Sequence, residues 1–167
     1  LESVSKIAET KKNGTPELWF SYVLMKSNMM ELPALIPLAR RIGVTTLFIS
    51  NVLPHTPEIL SEAVYLDAGA VERAKRIVDE IVRRLILEKV RVIFPRLEIK
   101  TERSCDFVEN RACAITWDGK VTPCYNFMHT YPCYIGSRRK MIRQVSFGSV
   151  QEKKIKEIWL SDEYLRF

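Results

Sequence analysis

Four cysteines, and the empty stretch before them, constrain this chain more than any other feature. Cys105, Cys113, Cys124 and Cys133 fall within a window of 29 residues, whereas residues 1–104 contain none. Thiols that merely fill a core would be scattered. Two disulfides would suit a small secreted domain without a core, but the Cys-free stretch has an ordinary apolar content and needs no staples. Clustered thiols in such a chain point first to a metal ion or an iron–sulfur cluster, with disulfides and inert thiols as the alternatives.

The remaining composition supports a packed core. Of 167 residues, 47% are apolar, 28% charged and 10% aromatic, with 6 Gly and 8 Pro, which excludes disorder and collagen-like repeats. No apolar run approaches the roughly 18–20 residues that span a bilayer, so no membrane is expected. A net charge of +6 is too small to imply nucleic acid by itself, and none is expected as a partner. The high charge content beside only 2 Gln and 5 Asn points to a thermophilic source. The chain opens at Leu1 with neither Met nor a charged-then-apolar leader, so it reads as a cytoplasmic protein and as a fragment.

Periodicity divides the chain in two. Residues 1–12 read as the tail of a helix stopped by Asn13-Gly14 and Pro16. ELWFSYVLMK (17–26) is an almost unbroken apolar run, as expected of a strand in a parallel sheet. Asn28 with Glu31 has the form of a capping box, and LPALIPLARRIG is an amphipathic helix that Pro37 should kink and Gly43 should end. VTTLFISN (44–51) is a second buried strand, completing a βαβ unit. A Pro-rich loop (52–60), a long helix (70–90) and a strand (91–99) with Pro95 at its edge or exit follow. Such a sheet is about half a barrel or half a doubly wound fold; it requires more chain, or a second copy, to cover it.

From Lys100 onward the character changes. Asp118-Gly119 between short alternating runs predicts a hairpin with a type I′ turn. A loop with Pro132 and Gly136, the basic run Arg138-Arg139-Lys140, a short strand (145–150) and a single amphipathic C-terminal helix complete the reading. The hairpin sets Cys113 and Cys124 on its two arms, and Cys105 and Cys133 in flanking loops would close a tetrahedral thiolate site. Thiolate suits Zn²⁺ and iron–sulfur clusters alike. Zinc ribbons show two tight Cys-x2-Cys knuckles, absent here, and the wide spacings suit a cubane better.

The frame Cys105-x13-Gly119-x4-Cys124, with the inner Cys113 and the run CAITWDGKVTPC, resembles the SPASM/twitch domain of radical S-adenosylmethionine enzymes. FGSVQEKKIKEIW resembles the closing segment of that domain, and FSYVLMKSNMMELPALIPLARRIGVTTLFISNVLPHT resembles the last βα units of the radical-SAM barrel. Within the family the likeness is to maturases associated with tungsten-cofactor oxidoreductases. The resemblance implies an α/β chain with the C-terminal half of a partial (β/α)6 barrel in residues 1–100 and a small α+β SPASM/twitch-like domain with a β-hairpin in 101–167. It implies an auxiliary [4Fe–4S] cluster on the cysteines, with Cys105 and Cys124 the surest ligands, then Cys113, then Cys133. S-adenosylmethionine would be reductively cleaved by the whole enzyme, and the partner would be a tungsten-containing oxidoreductase or its pterin cofactor. The Cys-x3-Cys-x2-Cys loop that holds the family's radical-generating cluster is absent from this sequence, so this chain alone is expected to make no radical.

Polar residues at strand ends are the remaining candidates. Asn28, Ser50 and Asn51 follow or end the two strands, where parallel α/β proteins bind ligands, and would face the nucleoside cofactor; Asn28 would otherwise cap the next helix. His129 is a substrate or cluster contact or a surface residue, and His55 a loop residue. Arg138-Arg139-Lys140 would bind an anion or lie solvated. A zinc-stabilised four-cysteine binding module with no catalysis of its own stands as the alternative to the radical-SAM reading.

Overall fold

The computed structural model describes residues 2–10, 17–85, 90–98, 105–136 and 138–167. The chain divides into two compact units, 1–99 and 100–167.

The first unit is built on three parallel strands in sequence order: β1 (Trp19–Leu24), β2 (Thr46–Asn51) and β3 (Arg91–Ile93). Trp19 lies beside Thr46 and Thr46 beside Arg91, fixing the register. α1 (Glu2–Glu9), α2 (Leu32–Arg41), the short α3 (Pro57–Ser61) and α4 (Ala68–Leu85) provide the helices. Leu24, Leu47 and Ile49 project to one face of the sheet and pack with Leu32, Ile36 and Ala39 of α2 and with Ala70, Ala74, Ile77 and Ile81 of α4. Val4 of α1 joins the same core. Strand side chains alternate between faces, and the opposite face carries Trp19, Val23 and Phe48, which are 51%, 44% and 40% exposed. Thr46 is buried on that open face because the Arg91 guanidinium reaches across it to stack on Trp19, 5.4 Å from the ring centroid.

Several local expectations need correction. Asn28 caps nothing: it precedes a single 3-10 turn (Met29–Glu31) and makes no side-chain cap bond. Its amide closes the exit of β1 instead, with Oδ1 accepting from Met25 N (2.9 Å) and Nδ2 donating to Val23 O (2.9 Å). The loop at 52–60 contains α3, started by Thr56, whose Oγ1 accepts from Ile59 N. Gly43 ends α2 in a left-handed conformation as expected (φ 73°). Residues 86–89 and 99–104, which fell in the expected long helix, third strand and inter-unit stretch, lie outside the described residues.

The second unit has two separate hairpins. β4 (Ala114–Ile115) pairs with β5 (Val121–Thr122), and β6 (Tyr131–Ile135) with β7 (Arg138–Ile142). The turn after β4 is not type I′, which needs positive φ at both central residues; among residues 117–119 only Gly119 (φ 82°) has it. Thr116 N donates to Lys120 O and Gly119 N to Thr116 O (2.9 Å each), making a three-residue loop that ends in the left-handed glycine. The β6–β7 hairpin replaces the loop expected around Pro132. Residues 145–150 run beside β5 through one bridge (Lys120 with Ser149) and backbone bonds, and form no strand. The expected C-terminal helix is two: α6 (Ile155–Trp159) and α7 (Asp162–Arg166), broken where Ser161 Oγ accepts from Tyr164 N to start the second. α5 (Asp106–Glu109) is a single turn.

Candidate metal centre

The first hairpin holds two cysteines by its ladder. Ala114 pairs with Thr122, so Cys113 and Cys124 continue the two arms beyond the open end. Thr122, fully buried, directs its hydroxyl to the carbonyls of both Ala114 (3.3 Å) and Cys124 (3.1 Å), which fixes the backbone at Cys124. Cys105 immediately precedes α5, and its carbonyl accepts from Glu109 N (2.9 Å). The chain then doubles back, with Ala112 N donating to Phe107 O at 2.8 Å and Arg111 in a left-handed conformation (φ 49°). That return places Cys105 and Cys124 on the wall of one cavity of about 310 Å³, with Phe107, Phe127, Trp159, Tyr164 and Phe167 around them. Cys113 lines a neighbouring cavity of about 370 Å³ with Arg111, Ile155 and Lys156, and Trp159 belongs to both walls. Cys133 sits in β6 opposite Lys140 and is 2% exposed.

All four thiols are free of disulfides in the described fold. Burial pushes the Cys113 thiol above its ordinary value. The Tyr164 hydroxyl is raised by burial first and then by the thiols of Cys113 and Cys124; Tyr131 is raised by burial and then by Cys133 and Cys124. Cys124 is thus the thiol common to both neighbourhoods. Among the described residues, no three His, Cys, Asp or Glu side chains gather closely enough to hold one ion. Four unpaired thiols have the donor chemistry of a thiolate-held group, and two of them share a cavity. Cys113 and Cys133 stand outside it.

The aromatic wall was the part that sequence reasoning missed. Phe147 packs on Tyr164 (4.5 Å between centroids) and Phe167 (5.5 Å), Trp159 on Tyr164 (4.7 Å), and Phe127 on Phe167 (5.6 Å). Trp159 and Tyr164 line the cysteine cavity, while Ile158 (1% exposed) is the core residue of this segment. The available signal was the density of Phe, Tyr and Trp after Cys105. His129 is exposed and outside both cavities.

In the first unit, Ser50 lies in register with Val23 on the open face. Asn51 alternates to the helix-covered face, where Nδ2 donates to Arg96 O (2.7 Å) and Oδ1 is buried with no partner among the described residues. Asn28 has both ends of its amide committed to backbone. The three residues therefore do not present one common surface.

Residues 105–167 match the model of the SPASM family, an iron–sulfur cluster-binding domain. Over 99% of its length the chain is 38% identical to the tungsten-containing aldehyde ferredoxin oxidoreductase cofactor-modifying protein of Pyrococcus furiosus, and spans 46% of that relative. It is also 28% identical, over 85% of its length, to the PqqA peptide cyclase of a Methylobacterium species, and spans 35% of it. The chain thus covers less than half the length of these curated relatives. Its second unit carries a SPASM domain, and the chain is related to the SPASM-bearing radical S-adenosylmethionine maturases that its cysteine frame resembles.

Proposed function

We propose that this chain is the C-terminal, auxiliary-cluster-bearing part of a radical S-adenosylmethionine maturase that acts on a tungsten-containing oxidoreductase or its cofactor. The observation that carries the reading is the SPASM match over 105–167, in which Cys105 and Cys124 line one cavity. Those two residues would be the first ligands of a [4Fe–4S] cluster, with Cys113 and Cys133 completing the set. The cluster, when bound by all four thiolates, would supply one-electron chemistry. The chain's own contribution is a largely aromatic wall beside Cys105 and Cys124, with the backbone at Cys124 fixed by the Thr122 hydroxyl. Thiols must ionise to bind, so cluster assembly would release protons.

The first unit would be the C-terminal half of a (β/α)6 barrel, with the domain boundary near residue 100. Supporting this, the core helices lie on one face of the sheet in strand order 1-2-3, whereas a doubly wound sheet is covered on both faces. The open face of Trp19, Val23 and Phe48 would then look into the barrel, with Ser50 at the cofactor end. Asn51 would act from behind the strand. The tungsten connection is taken from the name of the Pyrococcus furiosus relative.

Anaerobic purification followed by iron, acid-labile sulfide and zinc determination tests the reading. About four irons and four sulfides per chain, lost in Cys124→Ala, are expected. One zinc and no sulfide would replace it with the zinc-stabilised binding module.

A further inference from the structure

The β6–β7 hairpin contains a feature that the cluster site does not use. From Gly119 to Gln151 the chain has no Asp or Glu, and Arg138, Arg139, Lys140 and Arg143 stand exposed there. Among the described residues none of these four cations forms an ion pair. β7 pairs with β6 alone, so no described strand covers its outer edge. Pro132, which has no N–H to give, is opposite Met141. Bonded and non-bonded pairs alternate along an antiparallel ladder, so Arg139 and Met141 turn their backbone N–H and C=O groups to the open edge.

Neighbouring side chains on a strand project to opposite faces. Arg138 and Lys140 therefore lie on one face, and Arg139 and Met141 on the other. Cations spread in this way do not converge on a single phosphate; they match an extended chain of negative charge lying along the strand. Pairing with the same strand of a second copy would oppose like charges. Met141, 54% exposed, adds apolar contact for a neighbouring strand. A nucleic acid would answer the cations but would leave the backbone edge unpaired.

We propose that β7 is a docking edge for an extended acidic segment of a partner protein, which adds as a third strand and sets its carboxylates against Arg138, Arg139, Lys140 and Arg143. The inference does not depend on which metal the cysteines hold.

The test titrates the full chain into a fluorescein-labelled peptide of alternating Glu and Val and follows anisotropy at low salt. The variant R138Q/R139Q/K140Q, checked by circular dichroism to be folded, is expected to bind about tenfold more weakly, since each exposed charge contributes modestly. A peptide of equal charge with proline at every Val position cannot donate to the edge, and is expected to bind at least about fivefold more weakly. No binding of the Glu-Val peptide, unchanged affinity of the triple variant, equal affinity for the proline peptide, or tighter binding of a single-stranded RNA of equal charge would each overturn the proposal.

Discussion

Among the described residues, eighteen buried hydrophobic side chains lie in the first unit and three, Val121, Cys133 and Ile158, in the second. The second unit is shorter, but not by that ratio. Its strands outside the basic hairpin are two residues long, its helices reach only five, and Val108, Trp117, Leu165 and Phe167 are 75%, 90%, 64% and 65% exposed. The first unit is held by apolar burial across a continuous sheet–helix interface. The second has too little buried surface to be held in that way, and small domains in this position rely on a metal or cross-links. Disulfides are absent among its cysteines. The same thiols that would carry the cluster would therefore also hold this unit together.

The contrast can be broken most severely at a ligand. Cys124→Ser is expected to abolish cluster binding and with it the near-ultraviolet dichroism of the Trp159–Tyr164–Phe147 group, while far-ultraviolet helix signal from the first unit persists; loss of both signals together would mean that the units are not independently stabilised. Next in size is Leu47→Ala, which opens a cavity in the first core at a fully buried site. It should cost about 2–5 kcal/mol in denaturant unfolding of that unit and leave the iron content unchanged. Gly119→Ala acts on the second unit without touching a thiol: an added Cβ would meet Ser149 Oγ and Gln151 Cγ at 3.2 Å with φ at 82°. It should cost about 1–2 kcal/mol, read as faster loss of the cluster to a chelator.

The smallest effect concerns Asp118. The Thr116 hydroxyl first, and then the Lys120 ammonium, hold its carboxyl below the ordinary value of 3.8. A depressed folded value means that the contribution is present above the unfolded pKa and is lost as pH falls through the folded one. Asp118→Asn should therefore flatten the acid limb of the second unit's stability below about pH 4 and change little at neutral pH. An unaltered acid limb would remove this carboxylate from the account.

The two units also differ in how legible they were. In the first, runs such as TLFISN and the three- and four-residue spacing of Val71, Ala74, Val78, Ile81 and Leu85, all but Val78 of which pack into the core, report burial, because burial is what forms the elements. Asn28 misled because a residue suited to capping was recruited to bond the strand it follows. In the second unit, periodicity carries little information when few positions are buried. β6 and β7 were hidden by Pro132 and by three consecutive cations, all of which an edge hairpin tolerates. Ser161 split the last helix in two, a signal available in the sequence as a capping residue before Asp162-Glu163. The cysteine frame was legible because ligands are specified by spacing and chemistry, and the aromatic wall was not, because its members come from four separate segments.

Hydrogen–deuterium exchange on the full chain, with the metal loaded and after anaerobic chelation, tests the central claim most directly. The account predicts that chelation removes amide protection throughout 105–167, above all in β4, β5 and α6, and leaves β1, β2 and α4 as protected as before. Unchanged protection at 105–167, or equal loss in both units, would contradict it.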